Sequence, residues 1–274
     1  MSSKQIQRVS EHYGAQVEIK ETSLNAAIPP LLGKTTEAVY ALVDGSMLFT
    51  REEKWKEIKV GRLFAGSDRV AIQPNRTELM SSQYVCHLGN HTAFLEKMDR
   101  YMESYKHKIC IADGAKWIWN WVDDTYPDAV QILDYFHAVE KISQFAVLKW
   151  EDEKERKKWI DDMQELLLSD QVAQVIRTLQ NIKTENSKTE KSRIDTIRYY
   201  QNNEKRMHYK TYKEKGYLIG SGAIESAHRN IVQQRLKLSG QRWSIKGAQQ
   251  IVNLRAFEKS NRWNEIVDII KNAA

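Results

Sequence analysis

Three acids in this 274-residue chain stand where a carboxylate could do chemistry. Asp44 follows the β-branched and aromatic run Val39-Tyr40-Ala41-Leu42-Val43, and Asp113 follows Lys108-Ile109-Cys110-Ile111-Ala112. Glu225 sits at a helix start after Gly220-Ser221-Gly222. Mg²⁺ takes oxygen ligands and keeps several waters, so a few converging acids plus substrate phosphate can hold it. Two such ions about 3.5–4 Å apart activate an attacking oxygen and stabilise a leaving one in phosphodiester chemistry. Asp-Gly pairs also make ordinary turns. One alone signals little; three acids on successive strand and helix boundaries point to a metal site.

Two further strings flank these acids. In Asp134-Tyr135-Phe136-His137 an Asp and a His share one helical face at i, i+3. They could orient a metal ligand from behind, or serve as a helix N-cap and a satisfied core histidine. In Gly220-Ser221-Gly222-Ala223-Ile224-Glu225-Ser226-Ala227-His228-Arg229 the glycines permit a sharp entry into a helix. An anion at Glu225 is favoured there by the helix dipole. His228 and Arg229 lie three and four residues on; Glu225 and Arg229 could equally form a plain surface pair. Next, Gln234-Arg235-Leu236-Lys237-Leu238-Ser239-Gly240-Gln241-Arg242-Trp243 sets bases beside an aromatic. Arg235, Lys237 and Arg242 could grip a nucleic-acid backbone while Trp243 stacks on a base, unless Trp243 is core.

The elements that must position these residues follow from periodicity. Residues 1–38 read as a short helix and a linker containing Pro29-Pro30. Val39–Val43 reads as a buried strand closed by a turn at Asp44-Gly45-Ser46. Glu57–Phe64 and Gln83–Leu88 alternate, which predicts half-buried strands and an antiparallel meander. Phe94, Leu95, Met98, Tyr101, Met102 and Tyr105 mark one helix face. Lys108–Ala112 reads as a fourth strand, the Trp117–Val122 stretch as a helix, and Ala129–Leu133 as a fifth strand ending at Asp134. The order β-β-β-α-β-α-β predicts a mixed α/β layer. Residues 135–150 read as helix, and 151–215, which lacks Gly and Pro, as a helical insertion; helix resumes after Gly222.

Composition narrows the class. Hydrophobic residues are 41% and charged residues 28%, with no apolar run long enough to span a bilayer and no apolar leader at Met1-Ser2-Ser3-Lys4-Gln5. Two cysteines exclude a disulfide scaffold and a four-cysteine zinc site, and predict a reducing, cytoplasmic compartment. The net charge is +6, and residues 216–255 hold six bases against the single acid Glu225. That segment suggests a phosphate-contacting surface. Residues 151–215 are mixed instead, with 15 bases and 13 acids.

Val43-Asp44-Gly45-Ser46-Met47, Trp55-Lys56-Glu57-Ile58-Lys59-Val60-Gly61-Arg62, Asp134-Tyr135-Phe136-His137 and Gly220–Ser226 resemble bacterial insertion-sequence transposases of the Kra type, relatives of the Mutator-like DDE transposases. The resemblance covers roughly residues 36–260. It implies a ribonuclease-H-like mixed sheet, three antiparallel strands then two parallel, with an all-helical insertion before the final catalytic helix. The divisions would be 1–38, N-terminal helix and linker; 39–150, first part of the core; 151–215, insertion; and 216–274, the rest of the core with basic helices. It further implies that Asp44, Asp113 and Glu225 bind two Mg²⁺ (or Mn²⁺), with Asp134 the alternative second acid. Asp134, His137 and His228 would shape the site, and Arg229, Arg235, Lys237, Arg242 and Trp243 would contact DNA. The expected partners are transposon-end and target DNA and further copies of the chain, with no membrane. Only about 38 residues precede the first strand, so the chain is expected to be a C-terminal portion that lacks an end-recognition region. A non-catalytic DNA-binding remnant is the alternative, and a resolvase or other nuclease of the same fold a third reading.

Overall fold

The computed structural model describes residues 1–23, 34, 36–73 and 76–272. The Pro29-Pro30 linker lies outside the described residues. Along the chain come α1 (Ser3–Thr22), β1 (Ala38–Thr50), β2 (Lys54–Ala65), β3 (Arg69–Gln73), β4 (Arg76–Leu79) and β5 (Gln83–Leu88). Then follow α2 (Thr92–Met102), β6 (His107–Ala112), α3 (Lys116–Thr125), β7 (Val130–Leu133) and α4 (Tyr135–Lys149). The predicted insertion is built from helices: α5 (Glu153–Leu168), α6 (Val172–Asn181), α7 (Ser187–Asn203) and α8 (Tyr209–Glu214). The chain ends in α9 (Gly222–Ala227), a π-helical segment (His228–Gln233), α10 (Gln234–Leu236), α11 (Ile245–Lys259) and α12 (Trp263–Asn272).

Five strands form one mixed sheet in the order β5-β2-β1-β6-β7. The predicted meander is present: β1 pairs antiparallel with β2, and β2 with β5. The expected turn at Asp44-Gly45-Ser46 is not. β1 runs on to Thr50, with Asp44 opposite Val60, Gly45 opposite Lys59 and Ser46 opposite Ile58. Ladder pairing with β2 outweighs the turn preference of Asp and Gly, a case of tertiary context overriding local propensity. The chain reverses instead at residues 51–53. β3 and β4 pair antiparallel in a separate two-stranded sheet for which no strand was predicted.

The chain divides into two compact units. The first comprises Met1–Cys110, Asp123–Ala129 and Gly222–Ala274; the second comprises Ile111–Val122 and Val130–Ser221. In the first unit Val39–Val43 are buried on both faces of the sheet, which explains their unbroken apolar run. α11 packs on β5 and on α1. α1 is longer than the short helix predicted; it begins with a capping box between Ser2 and Gln5. It has no core of its own: Val17 packs with Phe257 and Ile266. A Cβ on Gly14 would stand 2.3 Å from the Gln250 carbonyl oxygen, so glycine is what lets α1 lie against α11. At its other end α1 is held by Glu21, 3.2 Å from the buried Lys97 of α2.

In the second unit α4 packs against α5 and α7, with Ala138, Ile142, Phe145 and Ala146 buried between them. Phe145, Trp150 and Trp159 stack edge-on or tilted. Among the described residues, no helix is long and apolar enough to cross a membrane. Cys86 and Cys110 are free and buried, and burial raises both thiols above their ordinary pKa.

Two outcomes follow from this packing. Gly14→Val forces α1 off α11 and costs about 1–3 kcal/mol of unfolding free energy, measured by urea denaturation. An unchanged midpoint would contradict the close approach. His87, half-buried on β5, is pushed down to a pKa of about 4 by burial and then by Lys97, Lys59 and Lys56. The unfolded chain therefore takes up a proton near pH 6.5 that the folded chain refuses until about pH 4. Stability falls as pH drops through that window, and His87→Gln flattens that fall. Equal slopes in the two proteins would refute the assignment.

Candidate functional site

Within the first unit, β1 places Asp44 and Ser46 on one face, because residues two apart along a strand point the same way. Asp44 Oδ1 accepts the Gly45 N–H at 2.8 Å, and Oδ2 lies 3.3 Å from His228 Nε2. Ser46 Oγ lies 3.2 Å from His228 Nδ1 and accepts from Lys237 Nζ, also at 3.2 Å. An ammonium has no lone pair, so Ser46 Oγ is the acceptor from Lys237; a Ser46 hydroxyl that donates to His228 Nδ1 leaves the neutral ring's hydrogen on Nε2, toward Asp44. Burial pushes the His228 pKa below its ordinary value; Asp44 opposes this and Lys237 adds to it. A neutral imidazole thus backs the Asp44 carboxylate.

Glu225 lies in the first turn of α9 and is exposed. Among the described residues it makes no ion pair with Arg229, also exposed, so the plain surface pair is not formed. α9 is fixed from below by Arg62 of β2, a buried guanidinium that donates to the Ala223 carbonyl at 2.8 Å and to Ser82 Oγ at 2.9 Å. Three residues after Glu225 the helix widens into the π segment that starts at His228. π turns shift the hydrogen-bond ladder and recur at functional sites. Here Arg255 of α11 donates to the Asn230 and Ile231 carbonyls of that segment.

The basic stretch follows directly. Arg235, Lys237 and Arg242 are exposed, and the Arg235 guanidinium lies 5.6 Å from the centre of the half-buried Trp243 ring. Trp243 is therefore neither free nor core. Its backbone bridges to Thr50, and its carbonyl accepts from Arg51 N at 2.9 Å, tying the loop to the end of β1.

The second unit holds Asp113, Asp134 and His137. Asp134 is fully buried, and both its oxygens are occupied. Oδ1 accepts from Phe136 N at 3.0 Å and Ser221 N at 3.1 Å; Oδ2 meets the Ser221 hydroxyl and His137 Nδ1. A carboxylate offers about four lone-pair directions, and all four are used. Asp134 is the N-cap of α4 and the anchor of the Gly220–Gly222 turn, where Tyr135 N also donates to the Ile219 carbonyl at 2.9 Å. It has no oxygen left for a metal.

Asp113 is half-buried; its Oδ1 accepts from Ala115 N at 2.9 Å and its carbonyl from Trp119 Nε1 at 2.7 Å. A Cβ on Gly114 would stand 2.4 Å from Tyr199 Cε2, so the insertion's α7 packs onto this turn. Burial, with Asp113 and Asp134 nearby, raises the Tyr199 pKa and keeps its hydroxyl protonated.

In donor chemistry Asp44 presents a hard oxygen faced by a neutral ring, the kind of ligand Mg²⁺ takes, and among the described residues Glu225 is a carboxylate without a hydrogen bond or ion pair. Among the described residues, no group of three or more His, Cys, Asp or Glu side chains that could hold a metal ion is present. Sequence reasoning missed Ser46, Arg62, Tyr199 and Ser221. Only Ser46 carried a signal, its i+2 spacing from Asp44, and that signal needed the strand to be recognised. The chain matches no protein-family model and no curated protein.

Asp134→Ala leaves buried donors at Ser221 and Phe136 unpaired and destabilises the protein by about 1–3 kcal/mol, by chemical denaturation. The loss is the same with and without Mg²⁺. A loss seen only when Mg²⁺ is present would make Asp134 a ligand after all.

Proposed function

We propose that the protein acts on DNA as a DDE-type transposase, cutting phosphodiester bonds at element ends and joining the freed 3′ hydroxyl to target DNA. The observation that carries this is the approach of Asp44, on the central strand β1, to within 3.3 Å of His228, three residues beyond Glu225, in the unit that also holds the exposed bases before Trp243. The strand order supports a ribonuclease-H-like reading: β2 pairs antiparallel with both β5 and β1, and β6 and β7 extend the sheet beyond β1.

In this reading Asp44 and Glu225 hold the ions, with Asp113 added on sequence grounds alone. Bound Mg²⁺, or Mn²⁺, would lower the pKa of an attacking water and stabilise the leaving oxygen. His228, kept neutral by burial, adds no positive charge of its own beside Asp44. Arg229, Arg235, Lys237 and Arg242 supply phosphate contacts, which makes binding salt-dependent. Joining two ends implies more than one copy of the chain. A second reading, DNA binding without catalysis, is favoured by the lack of a three-residue metal group among the described residues.

The test uses a plasmid carrying the genomic segment around the gene. Wild-type protein nicks it with Mg²⁺ and not with EDTA, and Asp44→Asn lowers the rate about a hundredfold or more, near 3 kcal/mol of barrier. Nicking that survives in Asp44→Asn refutes the assignment. Salt-sensitive binding without any nicking selects the second reading.

A further inference from the structure

A cavity of about 400 Å³ opens within the first unit, between α1 and the end of β1. α1 contributes Ile6 and Ser10. The other wall is Arg51, from the reversal between β1 and β2, with Arg235, Arg242 and Trp243. Small-molecule sites span about 300–1,000 Å³ and combine an apolar surface with a few placed polar groups. This one brings three guanidinium groups to one indole. None of the three is paired with a carboxylate among the described residues. Ile6 is a large apolar side chain left 51% exposed beside them.

The wall is also built rather than loosely draped. Arg51 Nε donates to the Arg242 carbonyl at 3.0 Å, its backbone N–H to the Trp243 carbonyl, and Trp243 Nε1 donates to Gln241 at 3.3 Å. These bonds hold the indole in place, with the Arg235 guanidinium 5.6 Å from its ring centre. The excess positive charge reaches past the groove: Arg235 helps lower the pKa of Arg255, though burial is the larger cause.

We propose that this groove binds one nucleotide unit of a single DNA strand, its base against Trp243 and Ile6 and its phosphate on Arg51, Arg235 and Arg242. A bare phosphate would not use the apolar wall, and a neutral aromatic would not use three unpaired cations. Stacking on an aromatic ring is indifferent to base identity, and the guanidinium groups follow the backbone. The groove needs α1, which the sequence offered only as a helix and linker apart from the site. The inference deepens the DNA reading and rests on it for the choice of a strand over a free nucleotide.

The experiment measures fluorescence anisotropy of an end-labelled oligodeoxyadenylate single strand with the full chain. Competition is read with deoxyadenosine monophosphate and with inorganic phosphate. Ile6→Glu and Trp243→Leu each weaken strand binding about tenfold or more. Ile19→Glu makes the same charge change elsewhere on α1, where Ile19 is 60% exposed, and leaves binding within about twofold. Circular dichroism confirms that each variant is folded. Competition by the nucleotide but not by phosphate shows that the groove takes the free unit as well. Strand binding that depends on Ile6 and Trp243 without such competition shows that it takes the unit only within a strand. Both results uphold the groove. Binding indifferent to Ile6→Glu and Trp243→Leu, or lost equally in Ile19→Glu, overturns it. Mg²⁺-dependent nicking is a separate reaction, so the groove can fail while nicking stands, and the reverse.

Discussion

Backbone pairing of β1 with β2 continues through Asp44, Gly45 and Ser46, and what the first unit can do depends on that continuity. A turn at Asp44 would spread its side chain and that of Ser46 in different directions. A ladder sets both on one face, two residues apart, where a single buried imidazole meets each of them. The apolar run Val39–Val43 fixes the strand in the core, and Asp44 is the point at which it becomes half-exposed. The carboxylate is thus held by a rigid element yet remains open to solvent, which is what a ligand for a hydrated cation needs.

Two acids that look alike in sequence have opposite surroundings. Asp134 is buried with four donors around it; its charge is consumed in joining β7, α4 and the turn at Gly220. Asp44 spends one oxygen on its neighbour and keeps the other opposite a ring that burial holds neutral. The difference is one of saturation. A buried carboxylate without donors would be costly, so Asp134 must be satisfied to exist where it does. Asp44, partly solvated, is under no such obligation.

The final helices show how a functional surface is assembled from residues with structural duties. Arg255 is one of the six bases of residues 216–255, and Arg62 is a base of β2. Both donate to helix carbonyls, at Ala223 and at Asn230 and Ile231, and hold α9 and the π segment in position. Arg235 and Arg242 have no such duty, and they are the ones that stand beside Trp243.

Much of the architecture was legible in the chain itself. Alternation and apolar runs located all five strands of the main sheet, and a Gly- and Pro-free stretch located the helical insertion. These are local signals, set by periods of 2 and 3.6 residues. The acids and bases could be picked out for the same reason: residue type and neighbouring breakers are visible one segment at a time. Tertiary structure alone decided that β1 runs past Asp44, because a ladder forms only when β2 is alongside. It alone decided that Asp134 is saturated, since Ser221 donates from 87 residues away. It also brought α1 to the Trp243 loop, through a glycine whose value is apparent only against Gln250. Periodicity fixes which face a residue occupies; what stands opposite that face is set by contacts that no local pattern encodes.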